Sequence, residues 1–267
     1  MDSLGGYDDN PFIAEFYDSV VPYRDRQDVN FFVEMAQRAE GPVLELGCGT
    51  GRVLIPTANS GIEIVGLDAS PMMLSVCREK LLTESSDVQA KVVGLVQGDM
   101  RAFELSRKFS LVTIPFRPFQ HLLTVRDQMS CLENIRKHLV TGGKLVLDIF
   151  NPSLLLLADE RYLQEHGEEP EFTTADGRKV VRRMRIVWRD YFNQITHNEL
   201  IYYVTHPDAR EERLVHEFPM RYLFKFEVEH LLARCNFQLE TVYADYDKSP
   251  YGSKYPGELI FVAKAKD

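Results

Sequence analysis

The stretch that most limits what this chain can fold into is Val43 to Arg52, VLELGCGTGR. Val43-Leu44-Glu45-Leu46 has the look of a short, buried, parallel-type strand. It runs straight into glycines at alternate positions, Gly47, Gly49 and Gly51, and then into a helical run, Arg52-Val53-Leu54-Ile55. A strand that turns at once into a helix leaves unsatisfied backbone N–H groups and a positive dipole end at its carboxyl edge. Glycines there take positive φ and let bare main chain touch a ligand. Such a turn is suited to holding a small polar or charged molecule.

The spacing narrows the choice. A dinucleotide fingerprint, G-x-G-x-x-G, has its third glycine one position later. Here the pattern is acidic-x-G-x-G-x-G, led by Glu45, and a carboxylate before the loop suits a cationic ligand group better than a pyrophosphate. In these residues the chain resembles the class I S-adenosylmethionine-dependent methyltransferases, whose first motif has this form. Two other readings stay open. An NAD-dependent oxidoreductase shares the strand-glycine-helix element, and a non-catalytic interaction protein on the same fold would keep the cofactor site without turnover.

Further along, strand and helix patterns alternate, which argues a parallel sheet covered on both faces. Ile62 to Leu67 is the second strand and ends at Asp68, an acid placed to accept hydrogen bonds from two ribose hydroxyls. Ser70-Pro71 opens a helix, serine as N-cap and proline at the first position. The third strand is expected over Ala90 to Val96, followed by Gln97-Gly98-Asp99-Met100. Phe109 to Pro115 is the fourth and leads into Phe116-Arg117-Pro118-Phe119-Gln120-His121. Thr124 to Asp127 has capping-box form and opens a helix that Gly142-Gly143 is expected to end. Lys144 to Phe150 is the fifth strand.

From about Glu171 the pattern changes. Val180 to Arg189, Ile195 to Thr205 and Leu214 to Phe224 read as an antiparallel meander inserted after the fifth strand. In the first run Met184, Ile186 and Trp188 are expected on one face and Arg183, Arg185 and Arg189 on the other, where Glu199 and Glu217 can pair with them. Phe226 to Cys235 is the last helix, with Asn236 as a left-handed cap. Gln238 to Tyr243 and Glu258 to Lys264 close the chain as an antiparallel hairpin, the ending of the resembled family. The fold expected is α/β: a Rossmann-like, mostly parallel class I methyltransferase sheet with a terminal antiparallel hairpin and an inserted β-meander. Residues 1–40 form a helical lid segment, 41–152 with 226–267 the cofactor domain, and 171–225 a substrate cap that roofs the acceptor pocket.

The resemblance implies S-adenosylmethionine as cofactor and, for its pocket, Tyr17, Tyr23, Arg24, Glu45, Gly47, Gly49, Gly51, Arg52, Asp68, Ala69, Met73, Asp99, Met100, Arg101, Pro115 and Phe116. Asp99 is at the position that contacts the adenine amino group, and Tyr17, Tyr23 and Arg24 are lid candidates. The layout is nearest to small-molecule N-methyltransferases of the amino-sugar and glycine/sarcosine types. The reaction implied is an in-line displacement in which a nitrogen or oxygen lone pair takes the sulfonium methyl, so that positioning is the main contribution. His121 is the candidate base or orienting group, with an intrinsic pKa of about 6.5. Arg117, Gln120 and Tyr251 are candidate substrate contacts; Arg117 has the bidentate fork suited to a carboxylate or phosphate.

Composition closes off some partners. The formal net charge of −9 repels phosphate backbones and makes nucleic acid a poor partner, the one basic run at Arg178 to Arg189 apart. The longest apolar run, Leu154 to Ala158, is far short of the roughly 20 residues a membrane helix needs. MDSLGGYDDN has neither a basic nor an apolar signal region. The scattered Cys48, Cys77, Cys131 and Cys235 suggest reduced thiols in the cytoplasm and no metal site. The expected partner is a small-molecule methyl acceptor, with a homodimer left open.

Overall fold

The computed structural model describes residues 4–7 and 10–266. In chain order the elements are α1 (Pro11–Phe16), α2 (Val21–Arg24), α3 (Asp28–Gln37), β1 (Val43–Leu46), α4 (Leu54–Asn59), β2 (Ile64–Asp68), α5 (Pro71–Thr83), α6 (Ser86–Lys91), β3 (Val92–Gln97), β4 (Phe109–Ile114) and α7 (Val125–His138). There follow β5 (Leu139–Phe150), α8 (Leu154–Ala158), β6 (Phe172–Thr173), β7 (Lys179–Asp190), β8 (Ile195–Thr205), β9 (Glu211–Arg221), α9 (Lys225–Arg234), β10 (Phe237–Tyr243) and β11 (Glu258–Ala265). The chain divides into two compact units, Met1–Arg26 with Ser153–Arg221, and Gln27–Pro152 with Tyr222–Asp267.

The larger unit holds a seven-stranded sheet in the order β10-β11-β5-β4-β1-β2-β3. The pairs β1–β2, β1–β4, β2–β3 and β4–β5 are parallel; β11 runs antiparallel to both β5 and β10. All four residues of β1 are buried, as a central strand between two parallel neighbours requires. Order reverses at β1, and the carboxyl ends of β1, β2 and β4 therefore flank a topological switch point, where open α/β sheets bind ligands. The helix α3, expected with the N-terminal lid, packs instead into this unit's core, where Phe31, Phe32 and Ala36 join Val43, Leu54, Ile64 and Leu111.

Local signals act as their chemistry dictates. The Ser70 hydroxyl accepts from the Met73 N–H at 3.2 Å and caps α5. The Thr124 hydroxyl accepts from the Asp127 N–H at 3.0 Å and caps α7, and Asn236 takes φ 60° after α9. Several boundaries differ from expectation, among them β9, expected over Leu214 to Phe224, which runs Glu211–Arg221. The helix after the glycine turn starts at Leu54, not Arg52. A short helix, α6, capped by Ser85, takes the residues through Lys91 and delays β3 to Val92. The pair Gly142-Gly143 lies within β5 rather than ending α7, which stops at His138. There the register to β4 jumps, Phe109 facing Leu139 but Leu111 facing Lys144, and Gly142 at φ 74° absorbs the extra residues.

The smaller unit is built on the antiparallel sheet β6-β7-β8-β9. Phe16 and Val20 from the N-terminal segment pack with Phe172, Val180, Leu200, Tyr202 and Val204 of that sheet. A bulge at Val187 shifts the pairing, Ile186 facing Asn198 and Trp188 facing His197. One inserted residue moves the following side chains to the other face. Trp188, expected beside Ile186, instead stacks on the His197 ring at 4.0 Å and is half-exposed, while Ile186 is buried. Before the bulge β7 carries an ion-paired face, Arg185 holding Glu199 at 2.6 Å and Arg183 holding Glu168 at 2.6 Å; beyond it Arg189, expected on that same face, donates to the Asp159 carbonyl at 2.7 Å instead. Buried Arg182, which periodicity did not single out, grips Glu169 at 2.6 Å.

Candidate active site

The glycine turn between β1 and α4 is the centre of the site. Gly47, Gly49 and Gly51 have φ of 70°, 52° and 80°. The turn is less bare than expected, since several of its amides are engaged: Gly47 and Cys48 donate to the Leu67 carbonyl at 2.8 and 3.2 Å, and Gly51 to the Cys48 carbonyl at 2.9 Å. Gly49 donates to Asp68 at 2.8 Å, and the other Asp68 oxygen accepts from Ser70 at 2.8 Å. The turn offers a ligand close approach at Gly49 and the Asp68 carboxylate beside it. A Cβ on Gly49 would meet only Met73 Cε, at 3.4 Å. On Gly51 it would meet Cys77 Sγ at 2.7 Å, and on Gly47 it would meet Pro118 Cγ at 2.7 Å. Gly49 therefore faces open space, whereas its two neighbours are packed against protein.

The electrostatics are acidic. Glu45 is 1% exposed, and its Oε2 has no hydrogen-bond partner. Burial pushes its carboxyl well above the ordinary value of 4.5; Arg52 opposes this, and Asp28 and Asp68 add to it. Arg52 forks onto fully buried Asp28 at 2.6 Å for both bonds, and its guanidinium lies 4.9 Å from the Phe116 ring centroid. The structure thus commits Arg52, expected at the cofactor, to anchoring α3 beside the turn.

At the tip of β3, Asp99 is gripped by Arg101 at 2.6 Å, and Arg101 also reaches Asp127 at 3.5 Å. This pairing holds the Asp99 carboxyl below its ordinary range although partial burial opposes it. Met73 and Met100 are buried, and Met100 Cε lies 3.9 Å from where a Gly47 Cβ would sit. The Ala69 carbonyl accepts from the Gln97 amide at 3.4 Å.

After β4 and Pro115 the chain makes an uncommon turn: Phe116 and Arg117, neither of them glycine, have φ of 67° and 74°. A short 3-10 helix, Pro118–His121, follows. The Arg117 N–H donates to Asp148 at 2.8 Å, and its guanidinium pairs with Glu258 at 2.5 Å. Gln120, expected to face a substrate, is fully buried, its Oε1 accepting the Phe150 N–H at 3.0 Å. That amide closes the end of β5 and is not available to a ligand. Tyr251 is half-exposed, its ring centroid 5.6 Å from Lys225 Nζ.

The remaining expected residues belong to the smaller unit. Tyr17 and Tyr23 pack ring to ring at 5.0 Å, and Tyr23 lies under the Arg182 guanidinium at 4.3 Å. Arg24 is exposed and pairs with its neighbour Asp25 at 2.9 Å. Sequence reasoning missed Asp28, Asp148, Tyr246 and Glu258; their partners lie at chain separations that no local pattern encodes. Among the described residues no group of three His, Cys, Asp or Glu is placed to hold a metal, and no helix is long and apolar enough to cross a membrane.

The residues present fit S-adenosylmethionine: an open face at Gly49, and carboxylates at the strand tips, Asp68 at the end of β2 and Asp99 after β3. Residues 43–143 match the family described as methyltransferase domain. A putative methyltransferase, YqeM, of Bacillus subtilis is 25% identical over 260 residues, 94% of this chain and 95% of that one. The dTDP-3-amino-3,6-dideoxy-alpha-D-glucopyranose N,N-dimethyltransferase of Streptomyces fradiae is 31% identical over 142 residues, about half of each chain (51% and 52%). In fold, the CcbJ methyltransferase of Streptomyces caelestis superposes with a TM-score of 0.74 at 22% identity, covering 99% of this chain and 100% of that one. The NAD-dependent reading is not favoured by any of these. Residues 43–143 thus match a methyltransferase domain, and S-adenosylmethionine-dependent methyl transfer is the activity that the similar proteins support.

Proposed function

We propose that this enzyme methylates an amine nitrogen of a small molecule, an amino sugar carried on a nucleotide being the class that fits best. The observation behind this reading is the sequence kinship to two amino-sugar N,N-dimethyltransferases, at 31% and 32% identity. The chemistry agrees. A neutral amine brings its own lone pair, so the site needs orientation more than a strong base.

Bound S-adenosylmethionine supplies an electrophilic methyl group on a sulfonium. Asp68 is assigned to the ribose hydroxyls; its two backbone hydrogen bonds, to Gly49 and Ser70, fix its carboxylate for that task. Asp99, stiffened by Arg101, is assigned to the adenine amino group with Met100 against the ring. Gly49 gives the close approach and Asp68 the negative charge at the turn, whereas burial holds Glu45 towards its protonated form and Arg52 neutralises Asp28. His121 is assigned to orient the acceptor or to take its proton, at the end of the 3-10 helix that follows β4. Arg117 is given to Glu258 rather than to an acceptor anion. Acceptor choice is assigned to the unit that combines the N-terminal helices with the inserted sheet. The four free cysteines, all buried, fit a reducing cytoplasm.

The test is methyl transfer from labelled S-adenosylmethionine to dTDP-3-amino-3,6-dideoxyglucose beside its 3-hydroxy counterpart. Label on the amine alone is expected. Label on the hydroxyl sugar alone would replace nitrogen by oxygen, and label on neither would remove the sugar class.

A further inference from the structure

The turn after β4 holds two successive non-glycine residues in left-handed conformation, Phe116 and Arg117. Such a pair is strained, and it persists only where the surroundings over-determine it. The surroundings here are identifiable. Asp148, fully buried on β5, accepts the Arg117 N–H through Oδ1 at 2.8 Å. Its Oδ2 accepts the Tyr246 hydroxyl, and the Tyr246 ring is wedged against Phe31 and Phe32 of α3, at 5.9 and 6.3 Å. On the far side of the turn Pro118 presses on Gly47, leaving no room for a Cβ. One carboxylate therefore couples the β4 turn to α3 and sets where Phe116 and His121 stand relative to the glycine turn.

We infer that Asp148 is a positioning residue for methyl transfer, acting through the Arg117 backbone and locked by Tyr246. This rests on the proposed role of the β4 turn in presenting the acceptor. Asp148 acts as a hydrogen-bond acceptor of fixed geometry rather than as a charge. The amide of Asp148→Asn can still accept the Arg117 N–H through its oxygen and donate to the Tyr246 oxygen through its nitrogen. Asp148→Ala can do neither.

The experiment uses the full chain with three readouts: hydrogen exchange of peptides spanning residues 115–122, S-adenosylhomocysteine affinity by calorimetry, and turnover of dTDP-3-amino-3,6-dideoxyglucose. For Asp148→Ala the expected results are exchange of the turn faster by about tenfold or more, and kcat lower by about 10- to 100-fold, a misplacement effect. The S-adenosylhomocysteine Kd is expected to rise by less than about threefold, because Asp68 and Gly49 are untouched. Asp148→Asn restores exchange and kcat towards wild type, and Tyr246→Phe, a milder change that keeps the ring, falls between. Unchanged exchange, an Asn variant as impaired as Ala, or a Kd rising in step with the loss of kcat would each overturn the inference. If the wild-type enzyme does not turn over the sugar nucleotide, the amine-sugar reading fails. The exchange and affinity readouts then decide the role of Asp148 separately.

Discussion

The glycine turn makes a contrast that can be measured. Alanine at Gly49 and alanine at Gly51 both force a side chain into left-handed backbone, at φ 52° and 80°. That costs about 1–2 kcal/mol, partly offset by about 0.4–1 kcal/mol from the stiffer unfolded chain. At Gly49 nothing more is added, since the nearest atom is Met73 Cε at 3.4 Å. The net loss is about 1 kcal/mol, or about 2–4 °C in Tm. At Gly51 the new methyl meets Cys77 Sγ at 2.7 Å and Ile55 Cδ1 at 3.1 Å. Overpacking adds about 1–3 kcal/mol, for a total of about 2–4 kcal/mol and a Tm lower by about 4–16 °C. For the cofactor the order reverses, because Gly49 faces the open side. Its methyl occupies space assigned to the ligand and is expected to weaken S-adenosylhomocysteine by about tenfold or more, which is 1.4 kcal/mol. Thermal unfolding without ligand and calorimetry with S-adenosylhomocysteine, both on Gly49→Ala and Gly51→Ala, give the two orderings. A Gly49→Ala protein that binds as wild type does, or that loses more stability than Gly51→Ala, would refute the assignment of the open face.

Three further outcomes follow from the same geometry. Asp68→Ala removes a charged acceptor and is expected to weaken S-adenosylhomocysteine by about 1.5–3 kcal/mol, read by calorimetry; unchanged affinity would take Asp68 out of the pocket. His121→Ala is expected to lower turnover while leaving that affinity within about twofold, and a parallel loss of affinity would move His121 to the cofactor side. Glu45 has a folded pKa raised above its ordinary 4.5, chiefly by burial. The folded state therefore binds more protons than the unfolded one between 4.5 and the raised value, so stability falls as pH rises through that window. Glu45→Gln, a neutral mimic of the protonated acid, should unfold at higher temperature than wild type near pH 7 and lose that advantage below about pH 4. An advantage independent of pH would mean that Glu45 is ionised in the fold.

Much of the architecture was legible because it rests on local chemistry. Strand-glycine-helix, the Ser70 and Thr124 caps and the left-handed Asn236 each depend on neighbours within four residues. The acids at the ends of β2 and β3 were legible for the same reason. What escaped depends on distant partners. Nothing near Arg52 announces that it will fork onto Asp28, nor does anything near Gln120 announce the Phe150 amide. The bulge at Val187 was equally hidden, since period-two counting assumes an unbroken register and places Trp188 on the wrong face. Asp148 reads as the one polar residue in the apolar run Leu145 to Phe150, and only the neighbouring β4 turn gives it a purpose.

The central claim is that strand tips and a close-packed glycine turn hold a nucleoside bearing a positively charged sulfur. Calorimetric titration of the purified chain with S-adenosylmethionine, S-adenosylhomocysteine and NADH tests it most directly. The account predicts saturable binding of one S-adenosylmethionine or S-adenosylhomocysteine per chain and no saturable heat with NADH. Saturable binding of NADH with none of either sulfur nucleoside would contradict it.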